Sequence, residues 1–220
     1  MCLRAVDTKG IQLVRRDNCP LVKDVSTAIL DAIMYAKDPQ LAVDTARQHV
    51  AKVLAGDIDI DKFVVSKTLR GGYKNDKQPH VYVAAKIRKR RGRPVNHGER
   101  VPYVFVEDLT NPDALQAEKA EDPSWVREHG LQLDRLYYVE RQLHSPIVAL
   151  LELLVADAEA EVFGHSSVAP TMQALKTRTA GALRVVKRLR KNASNHQAEI
   201  TSFFKSSATA GVSNRPSSFS

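Results

Sequence analysis

The side chains able to do chemistry in this chain are mostly cations, and they come in runs. Lys86, Arg88, Lys89, Arg90, Arg91, Arg93 and Arg100 stand within fifteen positions against a single acid, Glu99. A helix end favours one or two cations through its dipole. Six within eight positions exceed that, and they suit contact with phosphate oxygens. Just upstream, Lys67, Arg70, Tyr73, Lys74, Lys77 and His80 surround the turn at Gly71-Gly72. Backbone amides in such a turn can add hydrogen bonds to an anion. Catalytic patterns are missing. There is no glycine-rich phosphate loop, Cys2 and Cys19 alone make no zinc site, and the seven histidines show no ligand spacing. Asp57, Asp59 and Asp61 share one side of an extended segment. No histidine or second acid cluster in the adjoining sequence completes a metal site, so this stretch is read as a solvated turn. The expectation is no catalytic residue and no metal ligand in this chain.

Composition agrees with a polyanion partner. The 220 residues carry 33 Lys+Arg against 25 Asp+Glu, a formal charge of +8, with 43% hydrophobic content. That content suffices for one packed domain and a tail. No apolar run reaches the length of a membrane span, and the amino terminus has no signal-peptide core. Two cysteines give no disulfide framework, which points to a reducing compartment. Residues 107–128 carry seven acids and two cations. Phosphate would repel that segment, so it is expected to face away from a bound polyanion. Residues 163–198 contain no acid and seven cations. If helical from 171 to 191, they set Met172, Leu175, Leu183, Val186 and Leu189 near one face. Composition leaves DNA, a membrane surface, a partner protein and a nuclear-import receptor all open for that stretch.

The elements that must position these groups are mostly helical. Residues 3–14 read as extended. Val22, Val25, Ile29, Ile33 and Met34 recur at helical spacing, and Asp38-Pro39 opens a second helix that runs to Gly56, giving a helical hairpin. Phe63-Val64-Val65 reads as a strand ending at Ser66-Lys67, a loop follows, and a helix spans about 80–89 until Gly92 and Pro94. Residues 101–106 form a strand, placed at an edge by Pro102. A helix over 134–158 carries Leu143, Ile147, Leu150, Leu151 and Leu154 on one face, with a kink at Pro146. The fold class is α+β, predominantly helical, and residues 205–220 are expected to be disordered.

Gln197-Ala198-Glu199-Ile200-Thr201-Ser202-Phe203-Phe204 places Ile200, Phe203 and Phe204 at i, i+3 and i+4, one side of a single helical turn. Three large apolar groups in a polar tail call for a pocket on a partner. With Gln197, the pattern resembles the peptide by which replication proteins dock on the sliding clamp, PCNA.

Six ordered segments then point to a family. They are Val14-Arg15-Arg16-Asp17-Asn18-Cys19-Pro20-Leu21-Val22, Ser66-Lys67-Thr68-Leu69, Gln78-Pro79-His80-Val81 with Ala84-Ala85, Arg100-Val101-Pro102-Tyr103-Val104, Glu121-Asp122-Pro123, and Leu133-Asp134-Arg135-Leu136-Tyr137-Tyr138. Together they resemble the carboxy-terminal part of family B DNA polymerases, delta-type catalytic subunits first. Large eukaryotic DNA viruses are a possible source on tail composition. The resemblance implies the end of the palm at 1–19, the thumb at 20–156, a basic linker or helix at 157–196, a clamp-binding peptide at 197–204 and a disordered end at 205–220.

By the same resemblance, Arg15, Arg16, Lys67, Arg70, Tyr73, Lys74, Lys77, His80, Arg88, Lys89 and Arg90 contact primer-template DNA, while Gln197, Ile200, Phe203 and Phe204 contact the clamp. The expected partners are duplex DNA, PCNA and the remaining polymerase domains, in the nucleus or at a viral replication site, with no membrane. The palm carboxylates, fingers and exonuclease domain of the family would precede Met1. The chain then looks like a fragment that cannot add nucleotides alone; no cofactor is expected in it, and Mg2+ is implied only for the intact polymerase. The paired cysteine clusters that end delta-type subunits are replaced by the basic tail. Two alternatives are a non-catalytic DNA-binding adaptor that recruits the clamp, and a basic RNA-associated protein; the aromatics do not form the stacking platform the latter needs.

Overall fold

The computed structural model describes residues 18–210 except 93 and 112, with side chains described through 192 and at 194. The expected extended segment at 3–14, together with Arg15 and Arg16, lies outside the described residues, as do residues 211–220.

Helix α1 (Pro20–Asp31) begins with proline in its first turn, where the missing N–H costs nothing. It buries Leu21, Val22, Val25 and Ile29. A π-helical turn, Ala32–Ala36, continues it, and Lys37 then breaks the run in the left-handed region at φ 52°. Met34, expected on the apolar face, is exposed because the wider π turn rotates the register there. Asp38 caps α2 (Pro39–Ala55) by accepting from the N–H groups of Gln40 (2.9 Å) and Leu41 (3.2 Å). Gly56 ends it at φ 89°, a conformation that favours glycine. The two helices pack on one another as the hairpin that their periodicity predicts.

Asp59 caps a short 3-10 turn, Ile60–Phe63, by accepting from the Asp61 N–H. That turn occupies the start of the expected strand, so β1 (Val65–Thr68) begins two residues late. Asp61 pairs with Arg127, so two of the three aspartates are spent on a cap and an ion pair. After a loop come α3 (Pro79–Arg91), ended by Gly92 at φ 66°, and β2 (Arg100–Phe105). β3 (Ala120–Glu121) completes an antiparallel sheet ordered β1-β2-β3.

The proline of β2 does not place it at an edge; β2 is the central strand. Pro102 lies opposite Ser66, and β3 pairs only with Val104 and Phe105. The Leu69 N–H donates to the Glu99 carbonyl (2.8 Å), three residues from the Ser66–Pro102 pair. Antiparallel ladders alternate, so Pro102 occupies a non-hydrogen-bonded position and gives up no ladder bond.

Helix α4 (Pro123–His129) is capped by Asp122, and α5 (Arg135–Tyr137) runs through a π segment (Tyr138–Leu143) into α6 (His144–Leu151). The irregularity lies before the proline expected to carry it: the π segment ends at Leu143, and Pro146 falls within α6, near its start. The helix stops at Leu151, well short of 158. A separate α7 (Ala158–Phe163), capped by Asp157, follows, and Leu154 is left partly exposed. Arg47 ties α7 to α2 through the Glu161 carbonyl (2.7 Å) and carboxylate. The last element, α8 (Ala169–Ala210), is longer than the 171–191 helix expected and passes the 205 boundary.

The core lies between the hairpin, α6 and the sheet: Val22, Val25, Ile29, Val43, Val50, Ile147 and Leu151 are fully enclosed. Each such side chain contributes about 1.5–3 kcal/mol. Cys19 is buried among them as a free thiol, and burial pushes its pKa up to about 11, so it stays protonated.

Candidate nucleic-acid interface

The basic loop is organised by Tyr73. Its hydroxyl accepts from the Arg70 N–H (2.7 Å), lies 3.3 Å from the Thr68 carbonyl, and sits 2.9 Å from Nε2 of His80. His80 is only 4% exposed, and its ring meets Tyr73 edge to face at 5.4 Å. Burial, with the charge of Lys67 behind it, lowers the His80 pKa, so the ring is neutral at neutral pH. Gly72, at φ 71°, turns the chain where no side chain is easily accommodated. Tyr73 and His80, expected as DNA contacts, brace the loop from inside. The Arg70, Lys74 and Lys77 side chains project from it, and Lys67 stands half-buried at its root.

Helix α3 divides its cations between two sides. Lys86 donates to the carbonyls of Glu118 (2.8 Å) and Ala120 (2.7 Å) and to Oε2 of Glu121 (3.2 Å). Arg90 makes a two-pronged bond to Glu121, at 2.7 and 3.1 Å, and lies 4.0 Å over the Trp125 ring. Arg91 pairs with Glu128 (3.1 Å) and Asp122 (3.7 Å). Arg90 was expected on DNA; a buried carboxylate and an indole hold it in the protein. Arg88 and Lys89 fall on the other side of the helix, beside Leu69, Pro94 and Val95, and are exposed.

The acidic segment is therefore not a separate outward face. Glu121, Asp122 and Glu128 neutralise one side of α3, Glu107 pairs with Arg178 of α8 (3.5 Å), and Asp113 pairs with Arg190 (2.8 Å). Covalent distance hid this, because the partners stand 31 to 77 positions apart. Among the described residues, the side chains of Lys67, Arg70, Lys74, Lys77, Arg88 and Lys89 make no ion pair, so the structure leaves the expected loop cations uncompensated. Gln197, Ile200, Phe203 and Phe204 fall within the helical backbone of α8, beyond the described side chains.

The DNA polymerase family B model matches residues 2–154. A DNA polymerase of Paramecium bursaria Chlorella virus NY2A is 46% identical over 200 residues, which is 91% of this chain and 22% of that protein. The DNA polymerase delta catalytic subunit of Caenorhabditis elegans is 39% identical over 155 residues, 69% of this chain and 14% of the relative. The structure of the family B DNA polymerase from the archaeon Pyrobaculum calidifontis superposes with a TM-score of 0.54 at 28% identity, covering 63% of this chain and 18% of that one. The chain thus spans about a fifth or less of the proteins it matches, and it belongs to DNA polymerase family B.

Proposed function

We propose that the chain serves as the thumb and tail of a replicative, delta-like DNA-directed DNA polymerase and holds primer-template duplex by its phosphate backbone, without reading bases. The observation that carries this reading is the division of charge: Lys86, Arg90 and Arg91 are occupied by carboxylates, while Lys67, Arg70, Lys74, Lys77, Arg88 and Lys89 are unpaired among the described residues. Cations without internal partners gain most by displacing counterions from DNA. Arg15 and Arg16 join the same set in this reading. The palm carboxylates, the fingers and the Mg2+ needed for nucleotide addition are assigned to the rest of the polymerase. Among the described residues no group of three His, Cys, Asp or Glu could hold a metal ion. The place of action is the nucleus or a viral replication site, and no described helix is long and apolar enough to cross a membrane.

Anisotropy titration of the full chain with labelled duplex, at salt between 50 and 200 mM, tests the grip. Changing the six unpaired residues to glutamine should flatten the dependence of log K on log salt by about 0.9 per lost contact, hence by roughly 5 if all six contact phosphate. A slope unchanged from the parent removes the reading.

The tail supplies the tether. Residues 197–204 lie in the helical backbone of α8. Titrating PCNA with the wild-type peptide and with Phe203→Ala/Phe204→Ala is expected to show at least a tenfold loss, since two aromatic anchors each carry more than about 1–2 kcal/mol. Equal affinities reject the tether.

A further inference from the structure

The matched family region ends at residue 154, so the cations of α8 are not explained by it. Their arrangement is ordered about the helix axis. At about 100° per residue, Leu175, Thr179, Ala182, Leu183 and Val186 share one arc of roughly 100°. These five are the half-buried residues of the helix's middle, and Leu175 packs on the core. Arg184, Lys187, Arg188 and Lys191 share a second arc of similar width, centred about 140° from the first. All four are exposed, and none has an ion pair among the described residues.

Rotation of α8 is fixed by its other cations. Lys176 bonds Glu140 (2.7 Å), Arg178 reaches Glu107 (3.5 Å), and Arg190 holds Asp113 (2.8 Å) and the Asn111 side-chain oxygen (2.7 Å). Lys176 and Arg178 flank the packed side, Arg190 falls within its arc, and together they keep the four-residue stripe turned outward.

We propose that Arg184, Lys187, Arg188 and Lys191 form a second surface for the sugar-phosphate backbone of double-stranded DNA, separate from the loop and α3. Along the axis the stripe covers about 10 Å, the rise of roughly three phosphates on one strand. A membrane surface is disfavoured, because the apolar side that a bilayer would take is half-buried, with Leu175 on the core, and among the described residues only Val185 and Leu189 are bare nearby. A receptor that reads an extended basic peptide would have to unwind α8 and break the Arg190 anchor.

The test uses the full chain carrying Arg184→Gln, Lys187→Gln, Arg188→Gln and Lys191→Gln, with circular dichroism to confirm retained helix. Its log K against log salt for labelled duplex should be shallower by about 2.7–3.6, the product of three or four lost contacts. A charge-keeping variant, Arg184→Lys/Arg188→Lys, should hold the parent slope, which separates charge from packing. A glutamine variant with the parent slope overturns the proposal. So does a defect seen only on phosphatidylserine vesicles. Running the Lys67, Arg70, Lys74 and Lys77 glutamine variant in parallel keeps the two surfaces distinguishable, since each set fails or survives by its own residues.

Discussion

Glu121→Ala is expected to lower the unfolding free energy by about 3 kcal/mol, the lower end of the 3–5 kcal/mol typical when one partner of a buried ion pair is removed. The carboxylate is 4% exposed and accepts from Arg90, Lys86 and the Asp122 N–H. Without it, two cations stay against β3 with little to compensate them. Their side chains keep 28% and 29% exposure, and that partial hydration holds the loss at the lower bound. The measurement is the midpoint of urea unfolding at constant m; a change under about 1 kcal/mol would mean that water already satisfies this cluster. Acid should produce the same loss gradually. Burial pushes the Glu121 pKa up, but Arg90 and Lys86 outweigh it and hold the carboxyl below its ordinary 4.5. A carboxyl depressed on folding contributes fully above its unfolded value, and that contribution is lost as pH falls through the folded one. Stability measured below pH 4.5 should therefore decline less steeply in Glu121→Gln than in the parent.

Tyr138→Phe should cost about 2–6 kcal/mol although it removes a single oxygen. The hydroxyl donates to the Phe63 carbonyl (3.0 Å) and accepts from the Phe105 N–H (3.0 Å), and the residue has 0% exposure. Phenylalanine would leave a donor and an acceptor sealed from water, at roughly 1–3 kcal/mol each. The same burial raises the phenol's pKa, so it remains a donor throughout the stable range. The oxygen joins the 3-10 turn, the central strand and the π segment. Amide exchange at Phe105 should accelerate in the variant, and unchanged exchange together with an unchanged midpoint would exclude this joint.

Local chemistry made much of the fold legible. Asp38-Pro39, Gly56 and Gly92 mark helix ends because capping and left-handed turns involve only near neighbours. The hairpin followed from its period. What depended on tertiary context did not show: β1 yields residues to the turn capped by Asp59, β2 is central despite Pro102, and the long helix breaks at Leu151. The site divides in the same way. That residues 67–89 gather positive charge was plain from composition. Which cations are free was not, since Arg90 is claimed by a carboxylate 31 positions away and His80 by a hydroxyl inside its own loop. A signal for the first existed in the alternation of basic and acidic stretches, which now reads as complementary pairing between α3, α8 and residues 107–128.

That pairing bears on speed as well as strength. A replication enzyme must let go of each position on its track in order to reach the next, and stickiness to nucleic acid grows with every ammonium or guanidinium left uncommitted. Under the proposed grip on duplex, the acidic segment, by keeping Lys86, Arg90, Arg91, Arg178 and Arg190 engaged at home, would work as ballast, holding the attraction to a level that still permits sliding.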